Sequence, residues 1–325
     1  MFHCGDLIDT GPSGTNAKGA TDPIVKQATT VRQKEWVIET LVRVSGFSAV
    51  LFVALIFFFL LKEGTPAFAQ VPLANLFGER WYPTEGLFGT LPLLAGSLLV
   101  TLGATVMALP LGLATAVFIH ELAPDWLREV LKPLIEVLAG IPSVVLGFLG
   151  MTAIAPLVQQ HLNVPTGLTA FTGSLMLAYM ALPTIISVAE DAIDAVPSQY
   201  RDGALALGAT RWQTIWRVVL PASRFGVIIA VMLGIGRAIG ETMAVMMVTG
   251  NAARVPHEWD ALFHPVRTMT ATVAAEMGEV AQGSMHYSVL FAVGILLFVL
   301  TFIVNAFASS IMIRGGRRRG GRLMG

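Results

Sequence analysis

Arg237 and Glu241 stand where charge is least expected. They lie four positions apart inside Phe225–Asn251, a stretch with no other charged residue. A charged side chain in so apolar a segment is costly and marks a functional site by default. At 1.5 Å per residue, Arg237 is about 18 Å along a helix that starts at Phe225, near the middle of a bilayer. A spacing of four predicts Glu241 on the same face one turn on, where pairing keeps both side chains charged. The guanidinium is a planar fork of donors that matches an oxyanion. A protonated tetrahedral oxyanion also carries a hydroxyl that a carboxylate can accept, whereas an unprotonated one such as sulfate is repelled. One reading of the pair is an anion-conducting site; the other is an ion pair that only locks helices together. Gly234, Gly236 and Gly240 surround the pair, Gly236-x-x-x-Gly240 lets another helix approach closely, and Thr242 and Thr249 add hydroxyls.

Such residues need a membrane bundle around them. Of 325 residues, 54% are hydrophobic and 13% charged, against about 25% charged in a soluble domain. Uncharged runs at Val44–Leu61, Gly86–Ile119, Val137–Gln160, Leu162–Ala189 and Ser288–Ile313 join Phe225–Asn251 to make six candidate spans. The fold class is therefore an all-α polytopic membrane protein. Spans are expected over roughly 41–62, 86–119, 134–157, 168–189, 222–250 and 286–313. Gly86–Ile119 would be about 50 Å long as one helix against a core of about 30 Å, so it must tilt, bend at Pro92 or Pro110, or begin outside the bilayer. Residues 63–85 and 120–133 read as loops, and the six Trp residues, Trp81 with Tyr82 among them, read as interfacial.

Charge distribution sets the orientation. Lys62, Arg80, Arg254 and Arg267 fall on one side of the six spans; every other Lys and Arg except Arg237 falls on the side of the termini. The positive-inside rule puts both termini in the cytoplasm. Residues 1–39 read as a flexible cytoplasmic tail, 40–313 as the transmembrane domain, 251–285 as an outer segment and 314–325 as a basic tail. Cys4 is the single cysteine and precludes an internal disulfide. His3–Cys4 could be read as a metal pair but reads better as an incidental pair in a flexible terminus, His257 and His264 lack metal-ligand spacing, and no cleavable signal peptide is evident.

The cytoplasmic stretch Tyr200–Pro221 reads as two short helices. Ser198 is expected to cap the first, Gly208 to end it, Thr210 and Gln213 to form a capping box on the second, and Pro221 to open the fifth span. Gly203, Ala204 and Ala206 make a small-residue face open to another protein; an amphipathic interfacial helix with no partner is the bland alternative. Glu190, Asp191 and Asp194 are expected at the same membrane face, near Arg201.

The spacing of this stretch resembles the EAA motif of ABC-importer permeases, with Asp202, Gly203, Ala204, Gly208, Val218, Leu220 and Pro221 at matching positions; Asp for Glu, Gly for Ala and Val for Ile are mild departures. The resemblance implies a MetI-like six-helix fold in which this segment is a coupling helix docked on a cytoplasmic ATPase. Arg237–Asn251, Thr268–Glu279 and His286–Tyr287 also resemble the phosphate-specific (Pst) permeases, of the PstC type, over about 40–313. That resemblance implies a phosphate permease working with a sister permease as heterodimer, two ATPase subunits and a periplasmic phosphate-binding protein, and places Arg237 and Glu241 in phosphate translocation. A phosphate-signalling regulator is a further partner it suggests. No G-x-x-x-x-G-K-[ST] occurs, so the chain is expected to be no enzyme and to bind no cofactor or metal itself, with ATP and Mg left to the ATPase. No nucleic-acid partner is expected.

Thr242, Asn251, Thr268 and Thr270 are candidates to line the outer part of the path, although Thr and Asn serve equally as packing groups. Glu276 and Glu279 read as a gate, a contact for the binding protein or a solvated face. A permease for molybdate or sulfate would share the coupling motif, and only Arg237–Glu241 argues against it. A phosphate-sensing scaffold is the alternative of another class. An intramembrane enzyme lacks a set of nucleophile, base and metal ligands.

Overall fold

The computed structural model describes residues 23–256 and 260–320. Backbone polar groups in lipid must bond within their own segment, so spanning elements are helices. Six stretches are long and apolar enough to span: 38–70, 91–122, 143–162, 170–194, 211–240 and 285–307. Residues 1–22 of the N-terminal tail, with Cys4, and residues 257–259, with His257 and Trp259, lie outside the described residues.

The chain divides into two compact units after Phe57. In the first, helix α1 (Pro23–Gln70) exposes Phe47, Val50 and Phe52, apolar side chains suited to lipid. In the second, α1 runs on through Pro66 to Gln70, so the loop expected over 63–85 begins as helix over its first third. There follow α2 (Leu73–Leu76) and a hairpin of β1 (Trp81–Tyr82) and β2 (Leu87–Phe88), whose turn is closed by Gly86 at φ 72°. Helix α3 is Leu91–Val117, with Pro92 in its first turn and Pro110 inside it. The expected loop at 120–133 is instead a π turn, Phe118–Leu122, followed by amphipathic α4 (Asp125–Ala139). The third span therefore begins past Pro142, as α5 (Ser143–Leu149), a π turn (Gly150–Ile154) and α6 (Ala155–Leu162), rather than near 134. Helix α7 (Ala170–Asp194) is capped by the Thr169 side chain. Next come α8 (Ser198–Ala206), α9 (Arg211–Thr214), a π turn (Ile215–Val219), α10 (Leu220–Gly240) and α11 (Met243–Val248). Finally α12 (Met269–Glu276) precedes α13 (Met285–Gly320).

Each π turn lies immediately upstream of a proline: Pro124, Pro156 and Pro221. Proline has no N–H for the carbonyl four residues back, and its ring clashes there. Widening the preceding turn lets the helix continue through Pro156 and Pro221, whereas at Pro124 it stops, Ala123 and Pro124 being extended.

The centre of the second unit is the seam of α3, α7 and α10. Val100, Ala104 and Ala108 of α3, Leu177, Ala181 and Ile185 of α7, and Ala238 of α10 are buried together. Ile185 fits because its neighbours are glycines. A Cβ at Gly112 would lie 2.7 Å from Ile185 Cγ2, and one at Gly234 would lie 2.6 Å from Ile185 Cγ1. Gly236 and Gly240 have nothing within 4 Å of such a Cβ, so the close approach expected at Gly236-x-x-x-Gly240 is made within this chain by Gly234 instead. A second core packs Ala67, Leu76, Trp81, Phe88, Leu93, Met269, Val289 and Val293. Trp81 is only 2% exposed and belongs to this core, contrary to the interfacial reading; Tyr82 is exposed.

Overfilling a packed contact costs about 1–3 kcal/mol. Gly234→Leu is expected to lower the thermal midpoint of the detergent-solubilised protein, and Gly236→Leu, facing open space, to leave it near wild type. Equal midpoints for the two variants would overturn this account of the seam.

Candidate functional site

Glu241 interrupts the fifth span. Its backbone is extended, at φ −69° and ψ 134°, and helix resumes only at Met243. The expected continuous helix over 222–250 is thus two helices, and the i, i+4 geometry that would have paired Glu241 with Arg237 is lost. No ion pair joins them among the described residues. Glu241 Oε1 instead accepts from Ala244 N at 3.4 Å, in the first turn of α11. The Glu241 carbonyl accepts from Thr270 Oγ1 at 2.9 Å, so α12 braces the break. Thr242 donates its hydroxyl to the Gly240 carbonyl at 3.3 Å.

Arg237 is half-buried in the last turn of α10. Its Nη1 donates to Thr184 Oγ1 of α7 at 3.1 Å, the one side-chain partner it has among the described residues. Thr184 fixes the depth. It lies fourteen residues from the start of α7 and ten from its end, about 21 and 15 Å at 1.5 Å per residue. The guanidinium is therefore near mid-depth despite its place at a helix terminus. A guanidinium has five N–H donors, so one bond to a hydroxyl leaves capacity for an oxyanion. Thr184 went unrecognised in the sequence; the signal for it was a hydroxyl directly after Pro183 within an apolar span.

The other path candidates hold local backbone. Asn251 is exposed at φ 51°, and its side-chain amide donates to the Met246 carbonyl at 2.7 Å, closing α11. Thr268 is buried and its hydroxyl accepts from Ala271 N at 3.3 Å, capping α12; it also lies 3.3 Å from the Thr270 hydroxyl. The first residue of α12 is pinned to α3, where Met269 N donates to Ser97 Oγ at 2.9 Å. Glu276 ends α12 as the centre of a cluster. Its Oε1 receives Arg267 Nη1 at 2.9 Å and Trp81 Nε1 at 3.1 Å, and its Oε2 lies 2.8 Å from His286 Nε2. Glu276 is thus a junction of β1, the 260s loop, α12 and α13 rather than a solvated face, while Glu279 lies past the helix end, in a turn, and is exposed. A cleft lined by Arg80, Tyr82, Asn251, Arg254 and Arg267 opens beside it.

The motif segment lies at the opposite end of α7. Helix α8 starts after Pro197 with no side-chain cap, so Ser198 is its first residue and not its cap. Gly208, at φ 85°, follows its C-terminus, and Thr210 with Gln213 forms the full capping box. Asp202, Gly203 and Gly208 are exposed and Ala204 is half-buried; Leu207 is 91% exposed, unusual for an apolar side chain with no partner. Leu220 is half-buried and Pro221 exposed, just past the π turn. Trp212 and Trp216 are exposed and meet edge to face at 5.8 Å, while Ile215 is buried. Glu190 is buried and pairs with Lys132 of α4 at 2.9 Å; Asp194 lies 3.7 Å from His120, and Arg201 pairs with Glu121 at 2.9 Å. Among the described residues no cluster of His, Cys, Asp and Glu could hold a metal.

Removing one partner of a buried ion pair costs about 3–5 kcal/mol, because the other charge stays behind. Glu276→Ala, which strands Arg267 and His286, is expected to lower the thermal midpoint in detergent well below that of Glu276→Gln, which keeps an acceptor. A wild-type midpoint for Glu276→Ala would show that the cluster holds nothing together.

Residues 108–312, more than half the chain, match the family described as "Binding-protein-dependent transport system inner membrane component". A probable ABC transporter permease protein of Bacillus subtilis, YqgH, is 41% identical over 234 residues, covering 71% of this chain and 75% of the relative. Two proteins called phosphate transport system permease protein PstC are also similar. That of Mesorhizobium japonicum is 38% identical over 75% of this chain and 80% of its own. That of Pasteurella multocida is 32% identical over 90% and 98%. In fold, the chain is similar to a bacterial alginate ABC transporter crystallised with a pentasaccharide-bound periplasmic protein, at TM-score 0.62 and 15% identity over 87% of this chain and 96% of that one. It is likewise similar to the inward-facing MetNI methionine ABC transporter, at TM-score 0.56 and 17% identity over 72% and 99%. The architecture is that of an ABC-transporter permease, and the chain belongs to the family of binding-protein-dependent transport system inner membrane components.

Proposed function

We propose that this chain is the permease subunit of an ATP-driven importer of inorganic phosphate. The observation that carries the reading is Arg237, a guanidinium near mid-depth that meets a hydroxyl and, among the described residues, no carboxylate, in a protein 38% identical to a phosphate transport system permease. An arginine so placed attracts an oxyanion and has donors to spare for it. Glu241, freed from the expected pairing, stands at the helix break one step along the path. Its carboxylate accepts the hydroxyl of a protonated phosphate and turns away sulfate. Thr270 holds the backbone of Glu241, and Thr242, Asn251 and Thr268 shape the path around it.

The remaining parts follow from the same reading. The excess of Lys and Arg puts the α8 end, with both termini, in the cytoplasm. There Asp202, Gly203, Ala204 and Gly208, with Leu207 among them, meet a partner ATPase that binds ATP and Mg, since this chain has no P-loop. Leu220 and Pro221 join that contact to α10. The opposite end receives a periplasmic phosphate-binding protein. A sister permease completes the path, packing against the open face at Gly236 and Gly240. Two ATPase subunits and a phosphate-signalling regulator complete the set of partners. Transport, not catalysis, is the task of the chain itself.

ATP-dependent phosphate uptake into vesicles carrying the reconstituted complex tests the reading. Losing a charge-assisted hydrogen bond costs about 1.5–3 kcal/mol, roughly tenfold or more in rate. Arg237→Ala is expected to lose uptake by at least that factor while the complex still assembles; wild-type uptake would remove Arg237 from the path. Glu241→Gln is expected to let sulfate compete with phosphate where wild type excludes it, and unchanged selectivity would deny the carboxylate that role. Gly208→Leu forces a side chain into a left-handed backbone at a cost of about 1–2 kcal/mol. Reduced uptake per ATP hydrolysed is expected, and unaltered coupling would place the ATPase contact elsewhere.

A further inference from the structure

Helix α8 has no core of its own: none of its residues is buried. Among the described residues, Arg201 is the one α8 side chain that bonds outside the helix. Its Nε and Nη2 both reach Glu121 Oε1, at 2.9 Å each, in the π turn after α3. Its Nη2 also donates to the Ile193 carbonyl at 2.9 Å, and its Nη1 to the Val196 carbonyl at 2.6 Å, at the C-terminal end of α7. His120 Nε2 accepts from Nη2 at 3.2 Å, and His120 Nδ1 lies 3.4 Å from Glu190 of α7. The last carbonyls of a helix lack intrahelical donors, and the helix dipole favours a cation there. One guanidinium thus welds α8 to the ends of both α3 and α7.

We infer that Arg201 is the positioning residue through which movement of α8 reaches the Arg237 site, by way of α7. Ile193 and Thr184 are nine residues apart in α7, about 14 Å of straight helix. The route from Pro221 to Arg237 along α10 covers sixteen residues, about 24 Å. A displacement of α8 therefore drags the C-terminal end of α7, and with it Thr184, the hydroxyl that Arg237 holds. The two routes end on the two partners of one hydrogen bond, so α8 can shift Arg237 against Thr184. Lys132, paired with Glu190 at 2.9 Å, adds α4 to the body that moves. The geometry also favours a fork: Arg201 spreads its bonds over Nε, Nη1 and Nη2, whereas the three donors of Lys all radiate from one nitrogen.

This inference rests on the phosphate-permease reading, and the experiment separates the two. The reconstituted complex is assayed for assembly, ATP hydrolysis and phosphate uptake with wild type, Arg201→Ala and Arg201→Lys. Wild-type complex that hydrolyses ATP without moving phosphate would sink the functional reading itself. Given wild-type transport, Arg201→Ala is expected to assemble and hydrolyse ATP but to move about tenfold less phosphate per ATP, the loss of a charge-assisted bond converted to a ratio. Arg201→Lys is expected to fall between. A wild-type ratio in Arg201→Ala would overturn the inference. So would a loss of assembled complex with the ratio unchanged in what remains, which is the signature of a purely structural residue. Should Arg201→Ala fail to assemble at all, Glu121→Gln removes the carboxylate while sparing both carbonyl contacts, and its ratio decides in the same way: lowered supports the inference, unchanged overturns it.

Discussion

How closely α7 can approach α3 and α10 governs everything at mid-depth. Lipid tails are as apolar as the side chains they replace, so helices in a bilayer associate through close packing and not through escape from water. Here one isoleucine, Ile185, is received by Gly112 on one side and Gly234 on the other. Thr184 is its neighbour in sequence and bonds Arg237. The contact that seats the helices and the contact that holds the charge are therefore one residue apart. A gap at Ile185 would move the hydroxyl away from the guanidinium, and a wedge there would do the same.

Away from Arg237 and Glu241, clusters of charge sit at the two ends of this seam. Glu276 gathers Arg267, Trp81 and His286 at one end; Arg201, Glu121, His120, Lys132 and Glu190 form the cluster at the other. Buried ion pairs give back little net stability, because both partners must leave water. What they do give is fixed geometry, since each is satisfied in one arrangement only. Both clusters join elements far apart in sequence: Trp81 to Glu276, Arg201 to Glu121. Apolar packing alone tolerates sliding between helices; the clusters set where each helix stops.

What could be read in the sequence was whatever depended on neighbours in the chain. Six apolar runs gave the spans because hydropathy is a sum over adjacent residues. The capping box of Thr210 and Gln213 and the left-handed turn at Gly208 are local bonds with local signatures. The break at Glu241 was invisible because Gly-Glu-Thr contains no proline and the four-residue spacing from Arg237 suits an unbroken helix. It is braced by a distant residue, Thr270, whose hydroxyl takes up the Glu241 carbonyl. Trp81 looked interfacial beside Tyr82, yet the hairpin turns it into the core under α12 and α13. Pro142 and the amphipathic face of α4 were the available signs that the third span starts late. Arg237 as a candidate was legible from its cost in lipid; its partner was not, since nothing along the chain links positions 237 and 184.

The π turn at Ile215–Val219 has a consequence for the direction in which Arg237 points. A π turn carries one residue more than an α turn, and one residue is about 100° of rotation. Beyond it, every side chain of α10 is out of phase by that angle with the helix that begins at Arg211. Wound as a plain α-helix from the same start, the segment would bring another azimuth to Thr184 and swing the guanidinium about a quarter-turn aside. The aim of Arg237 is thus set about four and a half turns away, by a proline that bears no charge and touches no anion.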